Sequence, residues 1–183
     1  MIKELIEWVK ALLIAAVIGL TLSFFFTVLQ VYDVSMNPTL VEGDRLVLQN
    51  THRVEKGDIV IFKTSLPISE ADLQAMNPIQ RWKNGKYKTL IKRVVATEGD
   101  SLVIEDGRVV LNGELLEEPY ILEPYTTGAV SIDEVPPGMV FAMGDNRQNS
   151  HDSRSGDIGL LPAAEIKGKV LLRLWPLNRL GSF

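Results

Sequence analysis

The sequence predicts a mainly β protein: an N-terminal transmembrane helix followed by a β-rich domain, one part of which is a meander of short strands. Three observations predict it. An uncharged stretch runs from Ala11 to Tyr32 and is almost wholly apolar as far as Leu29. Beyond it, short β-branched runs recur between turn signals, the pattern of an all-β domain. Two hairpin signals, Asp106-Gly107 and Asn112-Gly113, follow one another one strand apart.

The apolar run Ala11–Leu29 is interrupted only by Gly19, Thr21, Ser23 and Thr27. As a helix it rises about 28 Å, close to the hydrocarbon thickness of a bilayer. A cleavable secretory signal has a shorter apolar core ending at a small-x-small site. This run instead leaves through Leu29-Gln30-Val31-Tyr32-Asp33. The expected layout is a short cytoplasmic N-terminus at 1–10, a transmembrane signal anchor at 11–30 and an extracytoplasmic domain at 31–183. Lys3 and Lys10 precede the span, and no Lys or Arg follows it until Arg45. Basic residues stay on the cytoplasmic side, which puts the domain outside.

After the anchor, strands are expected at Arg45–Gln49, Asp58–Phe62, Leu90–Ala96, Ser101–Glu105, Arg108–Leu111, Met139–Met143 and Gly168–Leu174. The hairpin signals mark a meander at roughly 100–138, a candidate for a separate sub-sheet. Leu66–Tyr87 is polar and holds Pro67, Pro78 and Gly85; it reads as an insertion loop with a short helix at Ser69–Met76, Ser69 its N-cap.

Composition narrows the chemistry. The formal charge of −4 falls wholly beyond the anchor, because Lys3 and Lys10 offset Glu4 and Glu7. A mildly acidic domain has no electrostatic footprint for nucleic acid. With no cysteine there is no thiol nucleophile, no Cys-bound metal and no disulfide. His52 and His151 are the only histidines, and there is no H-E-x-x-H, so neither a metal nor another cofactor is expected. Hydroxyls, amines, carboxylates and guanidinium groups remain.

Three stretches can carry that chemistry. The first is Asp33-Val34-Ser35-Met36-Asn37-Pro38-Thr39-Leu40, just past the apolar run. Taken alone, its serine is an ordinary turn residue. The second is Leu90-Ile91-Lys92-Arg93-Val94-Val95-Ala96. Strand alternation puts Lys92, Val94 and Ala96 on one face, so the lysine is a candidate for burial; otherwise it is an edge lysine that discourages aggregation. The third runs from Met143-Gly144-Asp145 through Asn146-Arg147-Gln148-Asn149-Ser150-His151-Asp152-Ser153-Arg154 to Asp157. It is either a solvated loop or a fixed polar network, and its short polar side chains beside paired charges favour the network.

In their order along the chain, together with Lys56-Gly-Asp-Ile-Val-Ile-Phe62, these stretches resemble the type I signal peptidases, in the compact single-anchor form of Gram-positive bacteria. The resemblance runs from the anchor to about Trp175 and implies a β-rich catalytic core, at about 31–100 and 139–175, interrupted by a small inserted β-subdomain at about 101–138. It implies a membrane-bound Ser/Lys-dyad endopeptidase that cleaves signal peptides of secretory preproteins after small-x-small sites. Its partners are those preproteins and the lipid bilayer. By the same resemblance Ser35 is the nucleophile and Lys92 the general base. Ser150, Asp152 and Arg154 support the lysine, Asp145 and Arg147 have structural roles, and Met36 lines a shallow substrate pocket. One position departs from the family pattern. Members often carry Gly or Ser two residues before the nucleophile, where a Ser donates to the oxyanion; here stands Asp33, whose ionised carboxylate only accepts.

A dyad of this kind has a physical requirement. At pH 7 only about one free lysine in 2,500 is neutral, so the base must be buried without a direct counter-ion. Pairing Asp152 with Arg154 would leave Lys92 in that condition. A rival triad of His151 and Asp152 with a serine is disfavoured, because adjacent residues of an extended chain point to opposite faces. Two other functions stay open: a non-catalytic membrane-anchored β-domain binding exported segments, and a related Ser/Lys hydrolase with another substrate.

Overall fold

The computed structural model describes residues 1–75 and 85–183. A helix, α1 (Ile2–Phe25, 24 residues), opens the chain and buries none of its residues against the rest of the protein. By length and composition it can cross a membrane. The structure is otherwise mostly β, with strands β1 (Phe26–Gln30), β2 (Arg45–Gln49), β3 (Ile59–Pro67), β4 (Tyr87–Thr97), β5 (Leu102–Glu105), β6 (Arg108–Leu111), β7 (Glu114–Leu115), β8 (Val130–Ile132), β9 (Met139–Met143), β10 (Leu161–Pro162), β11 (Ile166–Trp175) and β12 (Gly181–Ser182).

The end of α1 differs from the expected span. Phe26–Leu29, apolar enough to continue a helix, instead belong to β1, which pairs antiparallel with β2 from Phe26↔Gln49 to Gln30↔Arg45. The reason is local. Phe26, Thr27 and Val28 are aromatic or β-branched and suit a pleated strand. Asn50 then takes the last helical carbonyls: its backbone N–H donates to Phe25 O and its side-chain amide to Phe24 O. The helix therefore ends where a strand partner satisfies its orphan acceptors.

Among the described residues the main sheet has the order β1-β2-β11-β3-β4-β9-β10, with β12 on β11. A second sheet of order β7-β6-β5-β8 lies within residues 102–132. Both hairpin signals form its turns: Asp106 and Gly107 have φ of 51° and 78°, and Asn112 and Gly113 of 53° and 82°. Positive φ at both central residues is the turn whose twist matches a β-hairpin. Where an insertion loop is expected, β3 and β4 run on to pair Pro67 with Tyr87. A short helix, α2 (Glu70–Ala75), follows β3; the expected helix end at Met76 lies outside the described residues.

Three apolar clusters hold the sheets. Val31, Met36, Leu40, Leu46, Leu48, Ile59, Ile61 and Val170 fill one. Val60, Phe62, Val94, Val140, Ala142, Leu161 and Ile166 fill the second. The third, with Val95, Ala96, Phe141 and Met143, joins Leu102, Ile104 and Val109 of the small sheet to the main one. A register shift between Val94 and Ala96 breaks the alternation of β4. Ala96 therefore packs in the cluster of Val95, and Val94 alone keeps the flank that alternation assigned to both.

Candidate active site

Lys92 lies in the middle of β4, directly opposite Val60 of β3 and two residues before Val94, and is 1% exposed. Its ammonium donates to Ser35 Oγ at 2.7 Å. Among the described residues it forms no salt bridge. Burial lowers its pKa from the usual value of about 10.5 to about 8; the charges of Asp152, Asp33 and Asp145 oppose the fall, and that of Arg154 favours it.

Ser35 sits in a turn, not a strand, and is itself buried. Several contacts fix that turn. Val31 N–H donates to Asp44 O at 2.9 Å, Asn37 N–H to Val34 O at 3.0 Å and Leu40 N–H to Met36 O at 2.9 Å. Arg173, paired with Asp44, donates to Thr39 O at 2.8 Å. Met36 and Leu40 are drawn into the core, Met36 to 1% exposure. Asp33 is exposed and its carboxylate accepts the Val34 N–H at 2.7 Å. Among the described residues the Ser35 N–H makes no hydrogen bond, which leaves it free to donate one to a ligand.

The loop after β9 closes on this turn from the other side. Asn146 N–H donates to Ser35 O at 3.0 Å, and its side-chain amide to Val34 O at 3.1 Å. Gly144 passes so near that a β-carbon there would collide with Ser150 Oγ and the Ser35 carbonyl. Gly144 N–H donates to Asp152 Oδ2 at 2.9 Å. Arg154 grips the same carboxylate with Nε and Nη2, each at 2.8 Å. Burial alone would raise the Asp152 carboxyl, but the hydrogen bonds and charge of Arg154 hold it below the ordinary value. Ser150 Oγ is buried beside Asp152, whose ionised form it favours, yet completes no well-formed hydrogen bond.

Asp145 and Arg147, adjacent in the motif save for Asn146, do not pair with each other. Asp145 takes a two-pronged bond from Arg93, at 2.9 and 2.7 Å, and a 2.5 Å bond from Thr39 Oγ1. Arg147, wholly buried, pairs with Glu118, donates to Thr126 Oγ1 at 2.6 Å and to Gly144 O at 3.0 Å. His151 is exposed, bonded to Asp157 at 3.0 Å and to Ser155 at 3.3 Å, and does not meet Ser35.

The structure thus brings Ser35, Lys92, Ser150, Asp152, Arg154, Asp145 and Arg147 around one turn. It adds residues that sequence reasoning passed over. Arg93 and Asn146 stand inside the quoted motifs and had a signal. Glu118 and Tyr120, whose ring lies 4.0 Å from the Arg93 guanidinium, had none.

What this arrangement can do follows from its parts: an alkoxide source touching an amine of depressed basicity, a free backbone N–H at the same serine, and carboxylates occupied elsewhere. The signal peptidase family, peptidase S26, matches residues 5–175. The probable signal peptidase I-1 of Synechocystis is 38% identical over 187 residues, covering 97% of this chain and 87% of that protein. Signal peptidase I of Bacillus licheniformis is 34% identical and covers 97% of this chain and 92% of that one. Among solved structures, a signal peptidase I from Enterococcus faecalis aligns with 64% of this chain and 96% of its own, at 25% identity and a TM-score of 0.46.

Proposed function

The chain belongs to the signal peptidase family, peptidase S26, and from that membership we propose that it is a membrane-bound serine endopeptidase removing N-terminal signal peptides from exported preproteins, with Ser35 as nucleophile and Lys92 as general base. The observation that carries the assignment of the dyad is the 2.7 Å contact between Lys92 Nζ and Ser35 Oγ in a buried setting.

A base of pKa about 8 is neutral in about one molecule in ten at pH 7, against about one in 2,500 for a free lysine. In that neutral state the Lys92 amine accepts the Ser35 hydroxyl proton as Oγ bonds to the scissile carbonyl carbon. The ammonium so formed protonates the leaving amine, and the signal peptide stays as an ester on Ser35. Lys92, neutral again, takes a proton from the water that attacks the ester, and returns it to Ser35 Oγ as that oxygen leaves the acyl carbon and the signal peptide departs as a carboxylic acid. The Ser35 N–H faces the charge that develops on the carbonyl oxygen. Asp33, turned to its own neighbour's N–H, supplies no such donor while ionised.

Ser150, Asp152 and Arg154 order the base, and Asp145 and Arg147 hold the loop that closes over the nucleophile turn. Met36 lines the shallow pocket that takes the small residues of a small-x-small site. The anchor α1 places the domain at a bilayer, and Lys3 and Lys10 before the apolar run favour a single pass with the N-terminus in the cytoplasm. Nine residues lie between Phe25 and Ser35, a reach of at most about 35 Å, so the nucleophile stays near the face where a signal peptide leaves the membrane.

The test is to incubate the purified full chain with a preprotein in lipid vesicles and sequence the new N-terminus. Cleavage after a small-x-small site by the wild type, and none by Ser35→Ala or Lys92→Ala, is the expected result. Substantial cleavage by either variant sinks the dyad, and cleavage elsewhere in the chain sinks the substrate.

A further inference from the structure

The residues between β7 and β8 form no sheet, yet they touch every arginine of the site. Tyr120 stacks on Arg93 at 4.0 Å, and its hydroxyl donates to Glu118 at 3.0 Å. Glu118 and Thr126 hold Arg147, and Leu122 N–H donates to Asp145 O at 3.1 Å. Thr127 ends the run: its hydroxyl donates to Arg147 O at 3.2 Å and accepts from Arg154 Nη1 at 2.9 Å, while its carbonyl accepts from the same nitrogen at 3.0 Å. The segment is tied to the small sheet as well. Thr126 N–H donates to Gly107 O at 2.9 Å, and a β-carbon on Gly107 would run into the Tyr125 ring. A strap from the small sheet therefore lies across the loop that carries Asp145, Arg147, Asp152 and Arg154.

We propose that Thr127 is a positioning residue of this strap, holding Arg154 on Asp152 so that this carboxylate does not become the counter-ion of Lys92. The argument rests on Lys92 being the base. Arg154 carries several donors: Nε and Nη2 lie on Asp152, Nη2 also 3.4 Å from Ser150 O, and among the described residues Nη1 is held by the Thr127 carbonyl and hydroxyl. An arginine held at Nη1 by two acceptors keeps its two-pronged grip more firmly than one left with the Thr127 carbonyl alone, and a looser grip lets more of the carboxylate charge act on Lys92. Four charged groups bear on Lys92: Asp152, Asp33 and Asp145, which favour the ammonium, and Arg154, which opposes it. The strap also reaches Asp145, through Leu122 and through Tyr120 on Arg93, but of these four groups Thr127 touches Arg154 alone. Thr127 itself is exposed, so its exchange buries no unpaired group.

The experiment is the pH profile of kcat/KM for the full-length enzyme on a preprotein or signal-peptide substrate. Thr127→Val keeps the shape and loses the hydroxyl. Its acid limb is expected about half a pH unit or more above that of the wild type, with kcat/KM at pH 7 reduced about threefold or more and the loss disappearing above the new limb. Thr127→Ser, which restores the hydroxyl, brings the limb back. A wild-type limb near 8 that Thr127→Val leaves in place overturns the role of Thr127 and spares the lysine base. Equal shifts in the Val and Ser variants overturn it too, since the hydroxyl is then not the agent. A wild-type limb near 6.5 that vanishes in His151→Ala overturns the lysine base and this inference with it.

Discussion

Lys92 and Arg93 are neighbours on β4, both buried, at 1% and 7% exposure, and the strand hands them opposite fates. Arg93 receives every compensation a buried cation needs: both oxygens of Asp145, the carbonyl of Gly57 at 2.9 Å and the ring of Tyr120. Lys92 receives a serine hydroxyl. A guanidinium keeps its charge in any case, so pairing it stabilises the fold and fixes geometry. An amine left without a counter-ion gives up its proton more readily, and the cost of burial becomes basicity poised near working pH. One residue apart on the same strand, one cation is fully paired and the other, in the proposed mechanism, is the base. The difference lies in where the carboxylates are spent: Asp145 on Arg93, Glu118 on Arg147, Asp152 on Arg154.

Exchanging the two side chains' chemistry should break that contrast most severely. Lys92→Arg keeps a cation but cannot deprotonate, and preprotein cleavage should fall by at least about a thousandfold, roughly 4 kcal/mol of lost transition-state stabilisation. Activity within about tenfold of the wild type would mean that Lys92 is not the proton acceptor. Removing the partner of the paired cation is the complementary experiment. Asp145→Ala leaves the buried Arg93 uncompensated and should cost about 3–5 kcal/mol of folding stability, read by denaturant or thermal unfolding, with activity lost alongside. An unchanged melting temperature would show that Arg93 finds water instead.

A third prediction sharpens the sign. The pKa of Lys92 is lowered on folding from about 10.5 to about 8. Between those values the unfolded chain binds more protons than the folded one, so this group makes stability rise with pH across that window. Below about 8 the folded state bears the full cost of burying an ammonium, about 3 kcal/mol. Lys92→Met should therefore be inactive yet more stable than the wild type at pH 6–7, by up to about 3 kcal/mol, and the gain should shrink towards pH 10.5. A variant that is less stable at neutral pH would mean the ammonium is well solvated. The smallest effect is expected at His151, exposed and bonded to Asp157: His151→Ala should keep activity within about twofold and stability within about 0.5 kcal/mol. Complete loss of cleavage there would revive a histidine base.

Why some of this was legible in the sequence is itself physical. Turn chemistry is local, so Asp106-Gly107 and Asn112-Gly113 could be read directly, as could β2, β6 and β9 from their β-branched runs. The Ser35, Lys92 and Asp145–Arg154 stretches were legible as motifs because each clusters unusual residues within a few positions. The end of α1 was not, because an apolar run reads alike as membrane helix or strand until Asn50 and β2 supply partners. Nor was the Val95 irregularity, which depends on register with β9. Glu118 lies far from Arg147 in sequence and carries no motif, so its buried pairing appears only when the chain folds back.

The central claim concerns the proton on Lys92, and its own titration tests it most directly. The full-length protein, labelled with carbon-13 at the lysine side chains and held in detergent micelles, gives a Cε resonance for Lys92 that Lys92→Met identifies by its disappearance. The account predicts a midpoint near pH 8, well below the usual lysine value of 10.5, moved upward when Arg154 is replaced by Met. A midpoint near 10.5, unmoved by that replacement, would contradict it.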